Sequence, residues 1–198
     1  MARRALEMEE QTTTEAEKQM VVKRYLKYTF FKAAREWRFL KDGARESAKE
    51  EFLGVLDRGS HDTTLSFFSL VGIRGDTDFM ILADSDSLES FQALISGLLS
   101  TRLGRYLDTP YSYLAMTRRS PYLGTHRHQG QEGTGSEAAE SRSKYLFVYP
   151  FVKKREWYRL PLTERQRMMA EHFKIGHKYP RIKINTGYSF GLDDQEFV

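Results

Sequence analysis

Part of this chain occurs twice, and that repetition limits its possible folds more than any other feature. At an offset of 120 residues Tyr25 meets Tyr145, Leu26 meets Leu146, Phe31 meets Phe151, Arg35-Glu36-Trp37 meets Arg155-Glu156-Trp157 and Leu40 meets Leu160. Seven identities in the seventeen positions from Arg24 to Leu40 are far more than unrelated segments give, and Ser69 still falls on Ser189. The expectation is a duplicated fold. Asp76 to Met80 then corresponds to Asp194 to Val198, where the sequence stops. On this overlay the second copy lacks its last helix and last strand, roughly forty residues. A half-built sheet would expose its core and an edge strand, so a truncated chain or partial gene model is expected.

The first copy supplies the element order. VVKRYLKYTFF reads as a strand running to about Ala33, and a helix follows from about Arg38 or Gly43 to Leu56, with Phe52, Val55 and Leu56 as its buried stripe. Thr63 to Ile73 and Phe79 to Ala83 are two strands joined by the turn residues RGDTD. Ser87 to Leu107 reads as a helix with Phe91, Leu94, Ile95, Leu98 and Leu99 on one side, and Tyr111 to Thr117 closes the unit as a strand after Pro110. Strand, helix, strand, strand, helix, strand is the order of a ferredoxin-like βαββαβ unit. The fold class expected is α+β: two ferredoxin-like units of the dimeric α+β barrel type, the second incomplete at its C-terminus.

Composition sets the boundaries. Residues 1–20, rich in Glu, Thr and Gln, read as a disordered or helical tail, and 21–123 as the N-terminal unit. Residues 124–143 lose their apolar content and gain Gly, Ser and Glu, which marks a flexible linker before the unit at 144–198. The halves are expected to pack separately. There are no cysteines, which excludes disulfides, iron–sulfur clusters and any thiolate-ligated metal or haem. Any metal must be held by His, Asp, Glu or Tyr. The formal charge is +4 with basic and acidic residues interspersed, a weak case for nucleic acid. No stretch approaches the ~20 apolar residues of a membrane span. The start MARRALEMEEQ carries acids where a signal peptide needs an apolar run, so the default expectation is cytoplasmic.

Residues able to carry chemistry gather in the second copy. From Lys144 to Lys153 the sequence alternates like a strand, which puts Tyr149, Phe151 and Lys153 on one face. Thr163, with Gln166 three residues later, forms a capping-box start for a helix from Thr163 to Ile175, stopped at Gly176. His172 lies one turn after Met168 and Met169 and one turn before Ile175, an imidazole on an apolar stripe and hence a ligand-like position rather than a surface one. Pattern alone leaves the plainer alternatives open. A single histidine on an apolar face is more often a hydrogen-bonded core residue, tyrosines are common in strands, and Lys153-Lys154-Arg155 reads as a solvated charge run. Trp37 and Trp157, repeated in both halves, read as core anchors.

YPFVKKREWYRLP, ERQRMMAEH and YSFGLDDQEFV, in this order and spacing, resemble the chlorite dismutase family and, within it, its coproheme decarboxylases. The resemblance runs from about Val21 to Val198. It implies a b-type haem or coproporphyrin in the second unit, His172 as the axial iron ligand, and assembly as a ring of copies, commonly a pentamer. It also implies a catalytic tyrosine in a Tyr-Pro-x-x-Lys segment, here Tyr149-Pro150-Phe151-Val152-Lys153, with Lys153 holding a propionate. The position of the distal arginine that chlorite chemistry needs is taken here by Ile184, and Lys183 beside it is expected to point to the opposite face. Ile184 likewise departs from the glutamine of many decarboxylases. That leaves His126 or His128 as candidates for the distal polar group, and Arg127 as a match to a propionate-binding arginine.

The function implied is hydrogen-peroxide-dependent oxidative decarboxylation of two propionates of iron coproporphyrin III, giving haem b. Here iron coproporphyrin is both substrate and cofactor. The alternatives are a chlorite dismutase or haem peroxidase, and a non-catalytic haem-binding protein.

Overall fold

The computed structural model describes residues 24–118, Tyr122 and residues 144–198. The tail at 1–20, the linker at 124–143 and, within it, His126, Arg127 and His128 lie outside the described residues.

Four strands form an antiparallel sheet: β1 (Tyr25–Ala33), β2 (Thr64–Ser69), β3 (Phe79–Ser85) and β4 (Leu107–Met116), in the spatial order β2-β3-β1-β4. Two helices, α1 (Asp42–Gly59) and α2 (Leu88–Ser100), complete the βαββαβ order of an α+β fold. Phe52 and Leu56 of α1 and Phe91, Leu94 and Leu98 of α2 bury against Phe31, Ile81, Ala83 and Leu107 on one sheet face. Val55 and Ile95 are only partly buried, and Leu99 is exposed, because the helix–sheet contact is narrower than the apolar stripe that the sequence offers.

Antiparallel sheets commonly leave one face to water, yet β1 and β3 are buried on both sides. Leu26, Tyr28, Phe30, Met80, Leu82 and Ala115 form the second face, and Leu146, Val148 and Val198 from the far half of the chain pack against them. This cover explains why the central strands read as nearly continuous apolar runs.

Several boundaries differ from the sequence reading. The second helix ends at Ser100, and a 3-10 turn, Gly104–Tyr106, leads into β4 at Leu107 rather than Tyr111. Pro110 therefore lies inside a strand, which is possible because β4 is an edge strand and its pairing with β1 shifts register between Phe30 and Lys32. A bulge on an edge accommodates a residue that has no N–H to give. Strand β2 also stops at Ser69, short of the expected Ile73.

The C-terminal end of the open β4 edge is covered by the last segment of the chain. Met116 N–H donates to Tyr188 O at 2.8 Å and Tyr188 N–H returns a bond to Met116 O at 2.9 Å. Gly187 is required there, since a Cβ at that position would lie 2.7 Å from the Cβ of Ala115. Isolated bridges then continue from Tyr188 to Phe197 and from Phe197 to Phe151.

Asp193 fastens this edge. Its carboxylate accepts the N–H of Leu114 at 2.6 Å and that of Asp194 at 2.9 Å. Burial works against the charge, but these bonds, Gln195 and the Lys27 ammonium outweigh it and hold the carboxyl below its usual range. A depressed carboxyl stabilises the fold fully above its unfolded pKa and loses that contribution as the pH falls through the folded one. Asp193→Asn is expected to cost about 1–2 kcal/mol at neutral pH and nothing in strong acid. Melting curves of the two proteins should converge on acidification; curves that stay parallel would locate the acid sensitivity elsewhere.

Candidate functional site

The segment from Lys144 to Lys153 is extended but is not a strand. Only Phe151 pairs, through a bridge to Phe197 with N–H to O distances of 2.9 and 3.1 Å. Alternation still governs where the side chains go. The Tyr149 ring lies 5.9 Å from that of Phe151, Phe151 stacks on Phe197 at 4.8 Å, and Lys153 Nζ stands 5.1 Å from the centre of the Phe197 ring. Tyr149, Phe151 and Lys153 therefore share a face, as their spacing predicts.

Lys153 is the centre of a tight cluster. Its ammonium sits over the rings of Trp157 at 4.4 Å and Tyr122 at 5.4 Å as well as Phe197. Each ring presents its negative face to the cation. Burial pushes the ammonium down from the ordinary lysine range; Glu196 opposes that and the Arg165 cation adds to it. Lys153-Lys154-Arg155 is thus not a uniformly solvated run, since Lys153 is half-buried while Lys154 and Arg155 are exposed.

Three further residues complete the cluster. Glu196 accepts the Lys153 N–H at 2.9 Å and the Tyr158 hydroxyl at 2.5 Å. Burial first, then Glu196, keeps the Tyr158 phenol protonated well above its usual range. Arg165 donates to the Tyr122 hydroxyl at 3.3 Å. Trp157 Nε1 and Arg165 Nε are buried with no hydrogen-bond partner among the described residues. Trp157 is therefore more than a core anchor, since its indole forms the floor under the ammonium. Sequence reasoning missed Glu196, Tyr158 and Arg165. The signal that could have found Glu196 is the repeat, which lays it over the neighbourhood of Asp78.

The helix that carries His172 is α4 (Leu162–Gly176), preceded by a short helix α3 (Arg155–Arg159). The capping box does not form: Pro161 is the N-cap, no side chain caps the helix, and Thr163 lies inside it. Proline fixes the entry angle, which leaves Thr163 too late to cap. No residue of α4 is buried, and His172 itself is exposed, beside Phe173 at 6.0 Å. Met168 and Ile175 on the same stripe are 40% and 52% exposed. The expectation of a position away from the surface is thus corrected: the stripe exists, but no described element covers it.

Such a helix offers an accessible imidazole nitrogen on the same stripe as the exposed side chains of Met168 and Ile175. Among the described residues no three His, Asp or Glu side chains gather to hold a bare metal ion. A haem-type group would need an imidazole to hold it and apolar side chains to lie against, and α4 could offer His172 with Met168 and Ile175 on the same stripe. Ile184, 46% exposed, and Lys183 lie on the extended segment beyond it, with Pro150 and Val152 exposed on the Tyr-Pro-x-x-Lys segment. The described contacts do not join His172 to Tyr149. Arg165, in the first turns of α4, is what links the helix to the Lys153 cluster.

The family model described as chlorite dismutase matches residues 45–198. A coproheme decarboxylase of Mycolicibacterium smegmatis is 34% identical over 151 residues, 76% of this chain, and the chain spans 60% of that relative's length. Chlorite dismutase from Candidatus Nitrospira defluvii, solved with imidazole, superposes with a TM-score of 0.73 at 22% identity, covering 88% of this chain and 74% of that one. A haem-binding protein from Thermus thermophilus gives 0.69 at 21% identity, with 88% and 74% covered. At these identities the two structures speak for the fold alone. Because the family model takes in well over half of the residues, including the Lys153 cluster and α4, the chain belongs to the chlorite dismutase family.

Proposed function

We propose that the protein converts iron coproporphyrin III to haem b by hydrogen-peroxide-dependent oxidative decarboxylation of two propionates. The observation that carries this reading is the pairing of an exposed phenol, Tyr149, with a half-buried ammonium, Lys153, on one face of the Tyr-Pro-x-x-Lys segment. The similarity to a coproheme decarboxylase supports it. The same reading includes two ferredoxin-like units and assembly as a ring of copies, commonly a pentamer. The bridge order Tyr188–Phe197–Phe151 repeats the order β2-β3-β1 and supports the duplication.

Bound iron coproporphyrin supplies the redox chemistry with peroxide. His172 would hold the iron from the α4 side through an imidazole nitrogen. Lys153 would pair with a propionate carboxylate, and its lowered pKa makes the ammonium a readier proton donor than an ordinary lysine. Each decarboxylation would consume one peroxide and one proton and release carbon dioxide and two waters; in it Tyr149 would give its phenolic hydrogen atom to the peroxide-derived oxidant and take one from the propionate chain, which requires the ring to be held against that chain.

Titration of the purified protein with iron coproporphyrin III, followed by stepwise peroxide and chromatography of the extracted porphyrins, tests this. Haem b reached through a three-propionate intermediate is the expected result. Tight binding without conversion would instead make the protein a non-catalytic haem binder. An apolar Ile184 at the distal-arginine position predicts no useful oxygen release from chlorite, and brisk release would favour a chlorite dismutase.

A further inference from the structure

We propose that Glu196 is the positioning residue for Lys153: one carboxylate anchors the main chain beneath the lysine and ties it to the phenol of Tyr158. The proposal rests on the reading above, in which Lys153 meets a substrate carboxylate.

The geometry singles out Glu196. Its Oε2 receives both the Lys153 N–H at 2.9 Å and the Tyr158 hydroxyl at 2.5 Å, so a single atom joins the extended segment to α3. The next residue, Phe197, stacks on Phe151 and lies under the ammonium. Main chain, ring floor and ammonium are therefore fixed by two adjacent residues of the last segment.

The first half contains the same acid–backbone anchor, there with the Lys32 ammonium on the acid, 2.9 Å from Asp78 Oδ1. Asp78 Oδ2 accepts the N–H of Ala33 at 2.9 Å, and Phe79 stacks on Phe31 at 4.9 Å. Ala33 overlays Lys153 at the 120-residue offset, and Asp78-Phe79 takes the place of Glu196-Phe197 once the offset shortens by two. Ala33, Trp37, Asp78 and Phe79 there help to line an open hollow of about 460 Å³. In the second half the lysine side chain extends between Trp157 and Phe197, the residues that correspond to Trp37 and Phe79. The acid–backbone anchor is thus a structural element of both halves. Among the described residues the halves differ in what joins the anchor: the acid of the first half carries the Lys32 ammonium, while that of the second carries the Tyr158 phenol and has the lysine at the anchored position itself.

The charged and titratable groups facing Lys153 are Glu196, Arg165, Tyr122 and Tyr158. A carboxylate favours the ammonium, so neutralising Glu196 must make Lys153 lose its proton at lower pH. Removing the Tyr158 hydroxyl does the opposite, because that donor draws charge from the carboxylate.

The test follows Lys153 by NMR of isotope-labelled lysine in the full chain without porphyrin, the resonance being assigned by its loss in Lys153→Arg. In Glu196→Gln the Lys153 titration is expected to move down by roughly one pH unit, and in Tyr158→Phe to move up. With iron coproporphyrin, kcat of Glu196→Gln should fall by about 10–100-fold with KM little changed. A Lys153 titration at the wild-type pH in Glu196→Gln overturns the proposal, whatever happens to the melting temperature. Should that variant not fold, an unmoved titration in Tyr158→Phe overturns it equally. If the titrations move as expected while even the wild-type protein yields no haem b, the decarboxylase reading fails and the positioning role stands.

Discussion

Tyr149→Phe should bind iron coproporphyrin as the wild type does and yield no haem b. The substitution removes one hydroxyl from a ring that is 63% exposed and leaves the ring contact with Phe151 in place. Among the described residues nothing hydrogen-bonds that hydroxyl, so its loss should change stability by no more than about 0.5 kcal/mol. The phenolic O–H is nevertheless the group assigned to the hydrogen transfer, and loss of a positioned proton-transfer group costs on the order of 10² to 10⁴ in rate. Absorbance titration reports binding, and chromatography of extracted porphyrins reports turnover. Turnover within a few-fold of wild type would remove Tyr149 from the mechanism and with it the main support for the decarboxylase reading.

His172→Ala should act on the other half of the site. An exposed histidine in mid-helix stabilises little, and alanine is a better helix former, so the fold is expected to survive. Iron coproporphyrin affinity should drop by on the order of a hundred-fold or more, since even residues one step behind a metal ligand are worth about 10–100-fold. Added imidazole should restore the wild-type absorbance spectrum. His177, at the C-cap of the same helix, provides the control. Five residues on, it lies on a different side of the helix axis, and His177→Ala should leave both affinity and spectrum unchanged. Equal losses in the two variants would mean that the helix, rather than one nitrogen, carries the binding.

Much of the site was legible from residue spacing because spacing fixes which side chains share a face. The pairing of Tyr149 with Lys153, and the alignment of Met168, His172 and Ile175, hold in the structure even where the secondary structure differs. Lys144 to Lys153 alternates like a strand, yet it finds a partner only at Phe151. A strand needs a neighbour along its whole length, and no local pattern states whether one is there. The capping box failed for a related reason: Thr163 and Gln166 have the right spacing, but Pro161 had already set the helix start.

The repeat was legible because identity at a fixed offset requires no knowledge of packing. It even brought Asp78 close to Glu196, although nothing in either residue alone says that both bind a backbone N–H. Hidden from the sequence was the convergence of Tyr122, Trp157, Arg165 and Phe197 on one lysine, since these residues are up to 75 positions apart.

By itself, then, the sequence determined the element order of the first half, its apolar central strands, the repeat and the identity of the residues that can act as phenol, cation and ligand. Only the tertiary structure decided which of them are buried. Lys153 is drawn into an aromatic cluster and loses hydration, while His172 stays in solvent on an uncovered helix. Periodicity reports the face on which a side chain lies. What covers that face depends on contacts between segments distant in the chain, and those contacts set the local dielectric and hence the chemistry of each group.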